Sequence, residues 1–281
     1  MSGPVVLGVF QSKDFVGLSN LRRVCEAARD VAQVEFEPYV ASSHVDLAED
    51  LIAGDIGIAW MPPIFAGDLI EQHLATPLAL PVRAGKTAYH AALIGRKGGP
   101  RSIAEMQGLR VGWVAQDSAS GYLLPRTHIA AQGHDVATFF AREQFYQGHR
   151  AVVDAVSRGE IDVGATRCHL KPDGSLLRGS WTDGDGHSAR PVVLVQAIGP
   201  IPNDTLVAGP SLPATTRATL TRWLLSLPAQ TKPLFDALFD TSEFRPADAS
   251  HYDALRHVVR AARARGYDAL PRASRSAFRV R

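Results

Sequence analysis

The sequence predicts an α/β protein of two lobes, each a mainly parallel sheet flanked by helices, joined by a hinge that the chain crosses twice. Three observations predict it. At 281 residues the chain is long for one compact domain and sufficient for two. Short β-rich runs alternate with stretches of helical periodicity, the pattern of βαβ units. After Lys97-Gly98-Gly99-Pro100 that alternation breaks and starts afresh, as at a domain boundary.

The elements follow in order. Val5–Phe10 (VVLGVF), Val34–Tyr39 (VEFEPY), Asp55–Trp60 (DIGIAW) and Tyr89–Arg96 (YHAALIGR) read as strands. Leu18, Leu21, Val24, Cys25, Ala28 and Val31 recur at helical spacing, so 17–32 is an amphipathic helix. Asp46–Ala53 is a second helix, closed by Gly54. Beyond the break, LRVGWVA (109–115) is a strand, about 120–132 a helix, ATFFAREQF (137–145) a strand, Arg150–Arg158 a helix and IDVGATR (161–167) a strand. The Gly/Asp/Ser-rich run from Asp173 is a hairpin or exposed loop, and VVLVQAIG (192–199) is a strand. Three helical stretches close the chain, at 213–227, 230–240 and 247–265. Crossovers fall near 94–96 and 197–203, which assigns residues 1–96 and 201–281 to the first lobe and 97–200 to the second. Two crossovers make a hinge, and a hinge between α/β lobes makes a ligand cleft.

Composition removes several classes of function. A formal charge of +2 with no basic stripe short of the tail argues against a nucleic-acid partner or an acidic membrane surface. No apolar stretch approaches the ~20 residues of a membrane helix. The chain runs from Met1 into a strand-like segment with no leader pattern. That places the protein in the cytoplasm as the sequence is written, and in the periplasm or on a lipid anchor if a leader has been removed. Cys25 and Cys168 have no partner motif and read as buried thiols. The histidines lack metal-ligand spacing, and RKGGPRS lacks the ending of a phosphate-binding loop, so neither a metal nor a cofactor is expected. No nucleophile elbow is present, and no catalytic set is assigned. The Arg-rich tail reads as a solvated terminus, with an interaction arm as its alternative.

The candidate site is GWVAQDSASGYLLPRTH, residues 112–128, a buried strand that ends in small hydroxylated residues and restarts as a helix. Ligands of open α/β sheets sit beyond the carboxyl ends of strands, where helix N-termini point. The free N–H groups of a first turn, its positive dipole end and the hydroxyls of Ser118 and Ser120 suit an oxyanion. Ser and Asp are also the ordinary N-caps, so an undecorated helix start stays open as the reading. Gly148-His149 opens a second helix, and Ser43-His44 opens a comparable one in the first lobe. A histidine there offers a ring N–H to an anion, or simply caps the surface.

Four segments carry a family resemblance: LIAGDIGIAWMPP, YHAALIGRKGGPRSIAEMQGLRVGWVAQDSASGYLLPR, GHRAVVDAVSRGEIDVGAT and IPNDTLVA, in order between about Val34 and Gly209. The chain resembles the phosphate/phosphite/phosphonate solute-binding proteins of ABC importers, which have the type II periplasmic-binding-protein fold. The resemblance implies that two lobes close on a small oxyanion, with an ABC permease as partner and a monomeric protein. It maps the family's Ser-Thr-Ser cradle onto Ser118, Ala119 and Ser120, its histidine onto His149, its crossover aromatic onto Tyr89 and its second-crossover acid onto Asp204. His44 stands where many members carry a tyrosine. Ala119 keeps an amide but loses a hydroxyl. No carboxylate for a ligand ammonium follows IDVGAT, and Arg167 favours added negative charge. Phosphate, phosphite or another small anion is therefore expected ahead of a simple aminoalkylphosphonate. A cytoplasmic sensor, or an enzyme resembling the menaquinone-pathway relatives of this fold, is the alternative use of the same cleft.

Overall fold

The computed structural model describes residues 4–10, 18–183, 187–188, 190–268 and 270. In chain order its elements are β1 (Val5–Phe10), α1 (Leu18–Ala32), β2 (Phe36–Ala41), α2 (His44–Ala53), β3 (Ile58–Met61), α3 (Pro63–Glu71), β4 (Thr76–Pro81) and β5 (Ala88–Arg96). There follow β6 (Arg110–Trp113), α4 (Leu124–Ala131), β7 (Arg142–Phe145), α5 (His149–Arg158), β8 (Val163–Leu170), β9 (Leu176–Gly179) and β10 (Val192–Pro202). The chain ends in β11 (Thr205–Ala208), α6 (Ala214–Leu225), α7 (Lys232–Phe239), β12 (Phe244–Arg245) and α8 (Asp253–Arg263). Gly17 and the tail 271–281 lie outside the described residues.

The chain divides into two compact units. The first runs to Thr87 and resumes at Asp204–Ala249, and the second comprises Ala88–Asn203 with the segment from Ser250. The expected division at 97 and 201 differs from this in two elements. β5 pairs over most of its length with β10 and β8, and α8 packs on α4 and β10, so both go with the second unit.

The first unit's sheet has the order β12-β4-β11-β3-β1-β2. β1 is parallel to β2 and β3, whereas β11 runs antiparallel to β3 and β4, as β12 does to β4. The second has the order β10-β5-β8-β6-β7, with β9 added to β8. There β6 is parallel to β7 and β8, and the β10-β5 and β5-β8 pairs are antiparallel. Both sheets are therefore mainly parallel, as expected, with β11 and β12 reversed in the first and β5 and β9 reversed in the second. The reversed strands β5 and β11 carry no local signal of direction, and each is the first strand after the chain passes from one unit to the other.

Each sheet buries its faces beneath helices. α1 presents Leu21, Val24, Cys25 and Ala28 to a core that also holds Phe235, Phe239 and Trp223, while Leu18 and Val31 stay exposed at its ends. The second core joins Ala92 and Ile94 to Val152, Val153 and Val156 of α5, with Cys168 and Trp181. Both cysteines are free and buried as expected, and burial pushes their thiols up to about 12. Gly54 closes α2 in the left-handed conformation that favours glycine (φ 84°).

Candidate functional site

The second sheet collects its site residues along one edge. β6 and β7 are parallel in register, Trp113 beside Phe145, and the main chain continues the pairing as Tyr146 N donates to Trp113 O (2.9 Å) and Gln147 N to Val114 O (2.8 Å). Residues 118–120 and His149 therefore both follow carboxyl ends of adjacent strands. β8 runs parallel to β6, so Thr166 and Arg167 lie toward the same edge. β5 runs the other way, which brings its first residues, including Tyr89, there as well.

After β6 the chain turns through Ala115–Ser118 into one wide helical turn, Ala119–Leu123, that runs on into α4. Leu123 N reaches back five residues to Ser118 O (2.9 Å), and Tyr122 N also donates to that oxygen (3.1 Å). Wide turns of this kind recur at functional sites. Ser118 is the N-cap, its Oγ accepting from Gly121 N at 3.1 Å. The ordinary capping role is thus real, and it leaves the hydroxyl proton to be donated elsewhere. Ser118 and Ala119 are half-buried, and Ser120 is 3% exposed. Amides at the start of a helix have no intrahelical acceptor. No acidic residue occupies the first turn here or in α5, so neither positive dipole end is neutralised by its own helix.

His149 is the first residue of α5, after Gly148. Its Nδ1 lies 3.1 Å from Oγ1 of Thr166, which is fully buried on β8. If the threonine hydroxyl donates to Nδ1, the proton of the neutral ring sits on Nε2, available to a ligand. Burial, then the charge of Arg167, pushes His149 down to about 4, so the ring is neutral near pH 7. An unfolded histidine protonates near 6.5, so between about 6.5 and 4 the unfolded chain binds more protons and stability falls as the pH falls. His90 and His128 are lowered by burial and act in the same direction. His149→Asn is therefore expected to shrink the loss of stability between pH 7 and pH 4.5 without abolishing it, as read from urea midpoints. An unchanged pH slope would show that His149 titrates normally.

His44 and Asp204 belong to the first unit and lie at the carboxyl edge of its own sheet. His44 begins α2 behind the cap Ser43, whose Oγ accepts from Asp46 N (3.0 Å), and its ring packs against Phe10 and Phe65 (centroids 4.3 and 5.6 Å). Asp46 places a carboxylate in that first turn and hydrogen-bonds Ser42, so this helix start already carries an anion of its own. Asp204, just before β11, pairs with Arg83 (3.0 Å), whose guanidinium also donates to Phe239 O (2.9 Å) and lies over Trp60. Sequence reasoning missed both Arg83 and Thr166. The threonine's only trace is a hydroxyl amid the apolar residues of IDVGAT. Among the described residues, no cluster of His, Cys, Asp or Glu is placed to hold a metal, and no helix is long and apolar enough to cross a membrane.

The two mixed sheets thus carry an edge rich in hydrogen-bond donors, which suits a small anion. A family profile described as ABC transporter, phosphonate, periplasmic substrate-binding protein matches residues 24–252, and the chain belongs to that family. It is accordingly the substrate-binding component of an ABC transporter. Among solved structures, XAC2383 from Xanthomonas citri bound to ATP is similar at 22% identity and TM-score 0.71, with 94% of this chain and 98% of that chain covered. A binding protein component of an ABC phosphonate transporter from Pseudomonas aeruginosa is similar at 19% identity and TM-score 0.61, covering 94% and 88%. PhnD1 from Prochlorococcus marinus in complex with methylphosphonate is similar at 16% identity and TM-score 0.60, covering 91% and 97%. A comparison with curated proteins finds no match.

Proposed function

We propose that the chain captures a tetrahedral phosphorus oxyanion, of the phosphate, phosphite or phosphonate class, at the carboxyl edge of the second unit. One observation carries the reading: two helix starts without acidic residues, capped by Ser118 and headed by a neutral His149, follow adjacent parallel strands. The Ser118 and Ser120 hydroxyls, the amides of that turn and His149 Nε2–H supply the donors, with Tyr89 as the flanking aromatic. The solved relatives bound to methylphosphonate and to ATP hold ligands with this tetrahedral group in common. A permease receives the ligand from a monomeric protein outside the inner membrane. Binding rather than turnover is the role proposed, in keeping with the substrate-binding family to which the chain belongs.

Hydrogen bonds to a charged partner contribute about 1.5–3 kcal/mol each. Ser120→Ala is therefore expected to weaken methylphosphonate or inorganic phosphate binding about tenfold or more by calorimetry. Ser118→Ala should do the same and also lower stability by about 1 kcal/mol through the lost cap. Binding by neither anion would refute the reading, and so would serine variants that bind as the wild type does.

A further inference from the structure

β8 sends successive side chains to opposite faces of its sheet. Thr166 faces α5, where it meets His149, and a Cβ on Gly164 would lie against Val152 and Val156 of that helix. The connections β6-α4-β7 and β7-α5-β8 step in opposite directions across the strand order, so right-handed crossovers put α4 and α5 on opposite faces. Arg167 therefore faces the side of α4 and of the Ser118–Ser120 turn that leads into it. On β5, Ala91 lies directly opposite Arg167, which makes Tyr89 its diagonal neighbour on the same face.

Arg167 is exposed, yet its backbone is fixed: its carbonyl accepts from Ser180 N (3.2 Å) and Ser180 Oγ (3.3 Å). No carboxylate among the described residues pairs with its guanidinium. Its charge reaches His149 and helps hold that ring neutral. The tetrahedral group is met by hydroxyls, amides and a neutral imidazole, so the guanidinium is a surplus full charge at the same edge. Its planar fork matches a carboxylate or phosphoryl group in two-point contact.

We propose that Arg167 is a specificity-determining residue, selecting phosphonates and phosphate esters that carry a second anionic group over unsubstituted and amino-substituted ones. This rests on the oxyanion reading of the site given above. An ammonium substituent would face a like charge there.

The test is calorimetry of the full chain with phosphonoacetate, methylenebisphosphonate, methylphosphonate and 2-aminoethylphosphonate. The expected result is that phosphonoacetate or methylenebisphosphonate binds about tenfold or more tightly than methylphosphonate, with 2-aminoethylphosphonate weakest. In Arg167→Gln that preference should fall to about twofold or less while methylphosphonate still binds and the melting temperature holds. Equal binding of all four, or a preference that survives in Arg167→Gln, overturns the selective role and leaves the oxyanion site standing. Binding of none of them overturns both.

Discussion

Replacing Trp113 by alanine is expected to destabilise the second unit by about 3–5 kcal/mol, the range for deleting a large buried aromatic. Trp113 is fully buried at the end of β6, and its ring meets Tyr122 and Phe140 edge to face, each at 5.5 Å between centroids. Its indole N–H donates to Glu143 Oε2 at 2.6 Å, and that carboxylate also pairs with Arg126, whose guanidinium lies over the Trp113 and Tyr122 rings. Alanine removes the ring and leaves a cavity directly beneath the turn that carries Ser118. Trp113→Phe keeps most of the apolar volume but loses the N–H and part of the ring, so it should cost about 1–3 kcal/mol, with Glu143 retaining Arg126. Urea midpoints at constant slope measure both. A loss below about 1 kcal/mol for the alanine variant would mean that the site is not seated on this cluster.

How far the sequence foretold this arrangement depends on where the information lies. β1 and the bounds of α2 and α5 were legible because apolar periodicity, a cap and a closing glycine are local signals. α3 was not, because Pro63–Glu71 buries Ile64, Phe65, Ala66, Leu69 and Ile70 around most of its circumference and so lacks a polar face to reveal its period. β4 and β12 were missed because a proline-bounded run and a two-residue strand leave no alternation to read. Strand direction was missed for a deeper reason. β5 and β11 are ordinary strands, each the first after the chain passes from one unit to the other.

The site divides in the same way. Ser118, Ala119, Ser120 and His149 were legible as helix starts after strands, and the parallel pairing of β6 with β7 turns that local pattern into a shared edge. Tyr89 reaches the edge through the antiparallel run of β5, which the sequence does not fix. His44 and Asp204 were read as ligand contacts, and the structure adds the packing of one against Phe10 and Phe65 and the ion pair of the other with Arg83. Those partners are distant in sequence, and no spacing announces them. Thr166 escaped because its importance is the ring nitrogen it faces across 17 residues of chain.

Two glycines of the site carry opposite expectations. Gly148 precedes α5 with extended backbone, and a Cβ there would meet nothing within 4 Å, so Gly148→Ala should leave stability and binding close to wild type. Gly121 sits inside the wide turn, where a Cβ would come within 2.4 Å of Val114 Cγ2, 2.5 Å of Val114 Cβ and 2.8 Å of Ser118 Oγ. Nothing there can yield cheaply. Val114 is tied to the turn by its own N–H, which donates to Gly121 O at 3.1 Å, and Ser118 Oγ is held by Gly121 N. Gly121→Ala should therefore cost about 1–3 kcal/mol through overpacking, with up to ~1 kcal/mol more if the Ser118 cap is broken. Because the displaced atom is the proposed ligand donor itself, methylphosphonate affinity should fall about tenfold or more, with the larger share in the dissociation rate. A Gly121→Ala protein that melts and binds as the wild type does would show that the turn has slack. Ser118 would then not be held where an oxyanion needs it.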